Sequence, residues 1–137
     1  MDPLLFLETS RFLADAPKGP PAEASYRTAF GRAYYAVFGY ARNLLAQRGF
    51  TFSGGSDEHQ QLIAYLKKSG LLQVQAAGLQ LDDLREKRNS ADYDVGSARV
   101  RRGPFDNWQA VLAVAQAQKI LEAVDTAAKS DRRLKIP

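Results

Sequence analysis

The sequence predicts an all-α protein, an antiparallel up-and-down bundle of four main helices plus one shorter helix. Three observations carry that expectation. Apolar residues recur at steps of three and four along nearly the whole chain, the spacing of one helix face. No stretch alternates apolar with polar residues as a half-buried strand would. Glycine, proline and serine gather at PKGPP (17–21), GFTFSGGS (49–56), Ser69-Gly70 and DVGSARVRRGP (94–104), where turns are needed.

Asp2 is placed to cap a first helix with Pro3 at its first position, ending near Ala16. Leu4, Leu5, Phe12 and Leu13 form its expected apolar side. A second helix is predicted from Pro20-Pro21 to about Gln47, with Gly49 as its stop. Its stripe is Tyr26, Phe30, Ala33, Tyr34, Val37, Phe38, Ala41, Leu44 and Leu45. A third helix, capped near Ser56 and ending at Ser69-Gly70, carries Leu62, Ile63, Tyr65 and Leu66. The fourth spans about Leu72 to Tyr93, and the fifth about Pro104 to Ala128. The fifth is expected to bury Trp108, Val111, Leu112, Ala115, Ile120, Leu121 and Val124.

The chain of 137 residues, 45% hydrophobic, suits one core. Residues 1–128 are expected to form a single domain and 129–137 a basic flexible tail. With no cysteine, disulfides, thiolate chemistry and cysteine-ligated zinc are excluded. The single histidine, His59, excludes any one-chain site that needs two imidazoles, and neither metal nor cofactor is expected. No apolar run approaches the roughly 18 residues of a membrane span. MDPLLFLETS lacks a basic leader region and reads as a helix start, so a cytoplasmic location is expected. The net charge of +4 and pI of about 9.5 lean towards a polyanionic partner. From Leu84 to Arg102 six basic residues stand against three acids, though starting at Asp82 weakens the excess.

One stretch breaks its own pattern. Val74, Ala77, Leu81, Leu84, Ala91 and Val95 fall at alternating steps of three and four, the seam of a bundled helix, and the position after Leu84 is Arg88. A guanidinium keeps its charge, and burying it with a single partner costs several kcal/mol. Arg88 is therefore expected in a partly solvated cleft, contacting Asp92 or Asn89, where an anion can reach it. Arg85, Arg88, Asn89 and Asp92 share one face at i, i+3, i+4 and i+7. Arg99, Arg101 and Arg102 follow in the next loop, so a fixed arginine, an amide, a carboxylate and a basic loop lie close in sequence. That set suits a phosphodiester, while a salt-bridged surface stripe is the plainer reading.

Tyr93 lies five residues after Arg88, about 140° round the helix, so the two converge only if the helix ends near Asp92 or across two copies. Closing the core is an equal reading for Tyr93. Of Tyr34 and Tyr35, adjacent on a helix, one is expected in the core and the other at the surface or an interface. His59, beside Asp57 and Glu58 in a first turn, reads as a solvated residue, with proton acceptor as the alternative. SGGS (53–56) lacks the lysine and strand of a phosphate loop.

GRAYYAVFGYARNLLAQRG (31–49), followed some forty residues later by LREKRNSADYD (84–94), resembles the HEPN domains of bacteria and archaea, in particular the small stand-alone type with an RNxADYD motif. The resemblance covers roughly residues 4–125. It implies a helical bundle, a homodimer and, in active members, metal-independent cleavage of RNA by an arginine, a following polar residue and a histidine. Arg88 and Asn89 match the first two, and Tyr93 stands at the histidine position of the shortest spacing. A tyrosine, with a pKa near 10, is a poor general base beside histidine, near 6.5. Gly39 stands where many relatives have a histidine.

The resemblance also implies a minimal nucleotidyltransferase as partner, the two forming a toxin–antitoxin pair. In one kind the partner modifies a tyrosine two residues beyond the histidine; here that position is Val95. The expected function is an RNA-acting toxin or defence component resembling an endoribonuclease. Arg88, Asn89 and Tyr93 would be the catalytic set, and Arg85, Asp92, Arg99, Arg101 and Arg102 would bind substrate. The alternative is a non-catalytic module that binds nucleotide, RNA or protein and partners a nucleotidyltransferase.

Overall fold

The computed structural model describes residues 2–15, 20–93 and 106–130, with side chains for 2–15, 23–91 and 106–129. The described residues form five helices and no strand: α1 (Pro3–Ala14), α2 (Pro20–Gln47), α3 (Glu58–Lys67), α4 (Leu72–Tyr93) and α5 (Asn107–Ser130). Asp2 caps α1 through its carboxylate, which accepts from the Leu4 backbone N–H at 3.0 Å. Gly49 takes φ 92° just past α2, the left-handed stop that its sequence position predicts. Two starts differ from expectation. The third helix is flanked by Asp57, with no side-chain cap bond, rather than by Ser56. The fifth begins at Asn107, because Asp106 Oδ1 takes the backbone N–H of Gln109 at 2.8 Å.

The core joins all five helices. α2 contributes Tyr26, Phe30, Ala33, Tyr34, Val37, Ala41 and Leu45, all buried on the expected stripe, and α4 contributes Val74, Ala77, Leu81, Leu84 and Ala91. α1 is tied to α2 by the buried Ser10, whose Oγ donates to the Ala29 carbonyl at 2.6 Å. Asn107 Nδ2 donates to the Ala14 carbonyl, joining the start of α5 to the end of α1.

The outward faces of α1 and α5 correct the sequence expectation. Phe12 is 80% exposed and Trp108 64%, and Leu4, Leu5, Val111 and Leu112 are exposed too. α5 does bury the expected Ile120, Leu121 and Val124, but in its first half it buries Ala110, Ala113 and Ala117 instead. An alanine face lets the helix axis approach its neighbours closely, and that packing outweighs burial of a few larger side chains.

α3 and α4 form an antiparallel pair whose register sets the functional face. A Cβ at Gly78 would lie 3.0 Å from both Leu66 Cβ and the Lys67 backbone N, so the helices touch here without a side chain between them. Lys67 and Asp82 close the next turn with a 3.0 Å ion pair. Eight residues back along α3 is His59, and an equal step forward along α4 leads to the Arg85–Arg88 turn.

Gly78→Ala should therefore destabilise the protein. Alanine favours a helix by up to about 1 kcal/mol over glycine, but overpacking against backbone costs roughly 1–3 kcal/mol. Thermal melting measures the balance, and a higher melting temperature would show that the approach is slack.

Candidate functional site

Arg88 is half-buried, in keeping with the expectation of a cleft rather than a sealed core. Its guanidinium carbon lies 5.3 Å from the Tyr34 ring centroid and 5.2 Å from that of Tyr35. The two rings meet edge to face at 5.6 Å. Each cation–π contact contributes about 0.5–2 kcal/mol, a partial offset to the cost of removing the charge from water. Tyr34 is fully buried and Tyr35 is 36% exposed, the division that adjacent helical positions impose.

His59 joins the site, the alternative to the solvated reading of its first-turn position. It is half-buried, not solvated, and its Nδ1 lies 2.7 Å from the Tyr34 hydroxyl. Its ring stacks on Phe38 at 4.0 Å and meets Tyr35 edge-on at 6.2 Å. The next residue back, Glu58, is held by Arg42 at 2.8 Å, and Arg42 lies over Phe52. Glu58 thus takes the outward role, and His59 turns into the aromatic cluster. The spacing of α3 alone cannot reveal this, because the partners of His59 come from α2 and α4.

The protonation states follow from these contacts. Burial pushes the Tyr34 hydroxyl well above the usual tyrosine range, against the pull of Arg85 and Arg88. Tyr34 therefore keeps its proton and donates it to His59 Nδ1, leaving the proton of the neutral imidazole on Nε2. Burial, then Arg85 and Arg88, lower the His59 pKa, while Glu58 acts in the opposite sense. Arg85 Nε is buried with no hydrogen-bond partner among the described residues. Nearby acids serve other cations: Asp82 bonds Lys67, Asp83 bonds Lys87 at 3.0 Å, and Glu58 bonds Arg42. The site thus gathers two guanidiniums, an imidazole and three aromatic rings, with Arg85, Arg88 and His59 half-buried.

Of the expected residues, the structure brings Arg85 and Arg88 together with Tyr34, Tyr35 and His59. Asn89 is half-buried beside Arg88 on α4. α4 ends at Tyr93, and the side chains of Asp92 and Tyr93 lie outside the described set. Arg99, Arg101 and Arg102 lie outside the described residues. Gly39 packs against α1: a Cβ there would lie 3.0 Å from Pro3 Cβ and Cγ, a tight contact that Pro3 would have to yield to. No group of three histidine or acidic side chains suited to a metal ion occurs among the described residues. Among them, no helix is long and apolar enough to cross a membrane.

His59 should titrate below its ordinary value of about 6.5. As pH falls, the unfolded chain then takes up this proton first, so the stability from neutral His59 is full above about pH 6.5 and is lost below it. The fall in melting temperature between pH 7.5 and 5.5 should be smaller in His59→Asn than in the wild type. The lone imidazole is an unambiguous reporter in proton NMR, and a midpoint at or above 6.5 would show a solvated ring.

No curated protein and no solved structure matches the chain. The sequence model described as "HEPN domain" matches residues 6–128, the span that holds all five helices and every residue of the cleft apart from the outermost turns of the bundle. Because that match covers most of the sequence, the chain belongs to the HEPN domain family.

Proposed function

We propose that the cleft between α2, α3 and α4 binds a phosphodiester of RNA, and that the protein acts on RNA as the toxin or defence component of a toxin–antitoxin pair. The observation that carries this reading is the Arg88 guanidinium, fixed against Tyr34 and Tyr35 beside Arg85. Two fixed cations hold a phosphate, and the exposed face of Tyr35 offers a surface on which a base can stack. Membership of the HEPN family supports an RNA-related or nucleotide-binding role.

Arg88 would stabilise charge on the phosphate, with Asn89 and Asp92 orienting it and Tyr93 positioning a hydroxyl or water. Arg85, Arg99, Arg101 and Arg102 would extend the basic track. The assembly is a two-fold homodimer, with a minimal nucleotidyltransferase as protein partner. A second reading, a non-catalytic nucleotide, RNA or protein-binding module, is favoured by one observation: Tyr93 occupies the histidine position of the motif.

The test is RNA binding by wild type and Arg88→Met at two salt concentrations, with thermal melting as a control for folding. Losing a charge-assisted contact of about 1.5–3 kcal/mol should weaken binding roughly ten- to hundredfold. It should also flatten the salt dependence by about one phosphate contact. Equal affinity and equal slope in the two proteins would overturn the assignment.

A further inference from the structure

His59 is the one group in the cleft that can exchange a proton near neutral pH, since both arginines stay charged and Tyr34 stays protonated. It enters from α3, a different helix from the one that carries the RNxADYD motif. Its Nδ1 is engaged by the buried Tyr34 hydroxyl, and one ring face is covered by Phe38. Nε2, without a hydrogen-bond partner among the described residues, is therefore the nitrogen left to meet a ligand. We propose that His59 is the proton donor of this site, protonating the 5′-oxygen released when an RNA phosphodiester held by Arg85 and Arg88 is cut. This rests on the phosphodiester reading above and goes beyond it, because it assigns the cutting step to a residue outside the motif.

The groups facing His59 make the step self-consistent. Tyr34 and Tyr35 meet it from α2, Glu58 adjoins it on α3, and Arg85 and Arg88 act on it from α4. In the empty cleft the two guanidiniums oppose a third positive charge. A bound phosphodiester neutralises part of that field, so the imidazole gains a proton with its substrate. Nδ1–H then donates to the Tyr34 oxygen, and Nε2–H points to the substrate. In the reaction the 2′-oxygen bonds to phosphorus and its proton passes to water. The bond from phosphorus to the 5′-oxygen breaks, its electron pair leaves with that oxygen, and the oxygen takes the Nε2 proton. The products are a 2′,3′-cyclic phosphate and a 5′-hydroxyl, and His59 recovers a proton from solvent.

The experiment uses the full chain with end-labelled RNA in EDTA, comparing wild type and His59→Asn for binding and cleavage from pH 5 to 8. Asparagine keeps a polar side chain of similar reach, and melting curves confirm that it folds. The variant should bind RNA within about threefold of wild type and cut it about 100-fold or more slowly, the usual worth of a general acid. Its cleavage should also lose the fall in rate that wild type shows as pH rises. An RNA with sulfur in place of the scissile 5′-oxygen needs no proton to leave, so the variant should cut it at close to the wild-type rate. A residue that only props up the fold would not be rescued this way. Wild-type cleavage of normal RNA by the variant, or failure of the sulfur substrate to rescue it, would overturn the proposal. So would RNA binding by wild type without cleavage, which leaves the phosphodiester reading standing. Absence of RNA binding by wild type would remove both.

Discussion

Arg88 occupies a register position that elsewhere on α4 carries Val74, Ala77, Leu81, Leu84 and Ala91, all buried. A guanidinium cannot shed its charge, and sealing one inside a protein costs several kcal/mol beyond what a single partner returns. The bundle answers by leaving this level half open and lining it with rings. Tyr34 and Tyr35 present their faces to the cation, and Phe38 backs His59. Above and below, the core closes around Leu81, Leu84 and Ala91. One charge in an apolar seam thus decides which level of the bundle is lined by rings and stays half-buried.

Much of this was legible in the sequence because helical periodicity records which residues share a face. The seam of α4, the stripe of α2 and the division between Tyr34 and Tyr35 follow from 100° per residue alone. The faces of α1 and α5 were not legible in the same way. Alanine is compatible with either side of a helix, so NWQAVLAVAQAQKILEAV holds two overlapping stripes. Size favoured the one with Trp108, Val111 and Leu112; close packing chose the one with Ala110, Ala113 and Ala117. A period fixes the spacing of a buried face but not its phase when small residues populate both.

His59 shows a different limit. Its local sequence, DEHQQ, is that of a solvated first turn, yet Glu58 is held by Arg42 and His59 turns towards the rings of α2. What turns His59 inward is the register of α3 on α4, which depends on the missing side chain at Gly78, nineteen residues away. The same kind of contact occurs at Gly39. Gly39 touches Pro3 because α1 lies across α2 there, so a side chain at that position would press on the start of α1. Two glycines thus each admit a neighbouring helix.

The arrangement also explains why Tyr34 is a tyrosine rather than a phenylalanine in an otherwise apolar position. Its ring fills the core and faces Arg88, as phenylalanine would. Its hydroxyl adds one thing, a proton aimed at His59 Nδ1 at 2.7 Å. Since burial keeps that hydroxyl protonated, the bond selects one tautomer and sends the ring's own N–H outward. Without it the imidazole could turn about its side chain or place its N–H on the inner nitrogen, where nothing apolar could receive it. The buried tyrosine therefore works through geometry and not through its own acidity: it orients a neutral donor beside two cations before any anion arrives. Preorganisation of that kind matters most in a site with a net positive field, because the ring is already aimed when a bound anion draws a proton onto it.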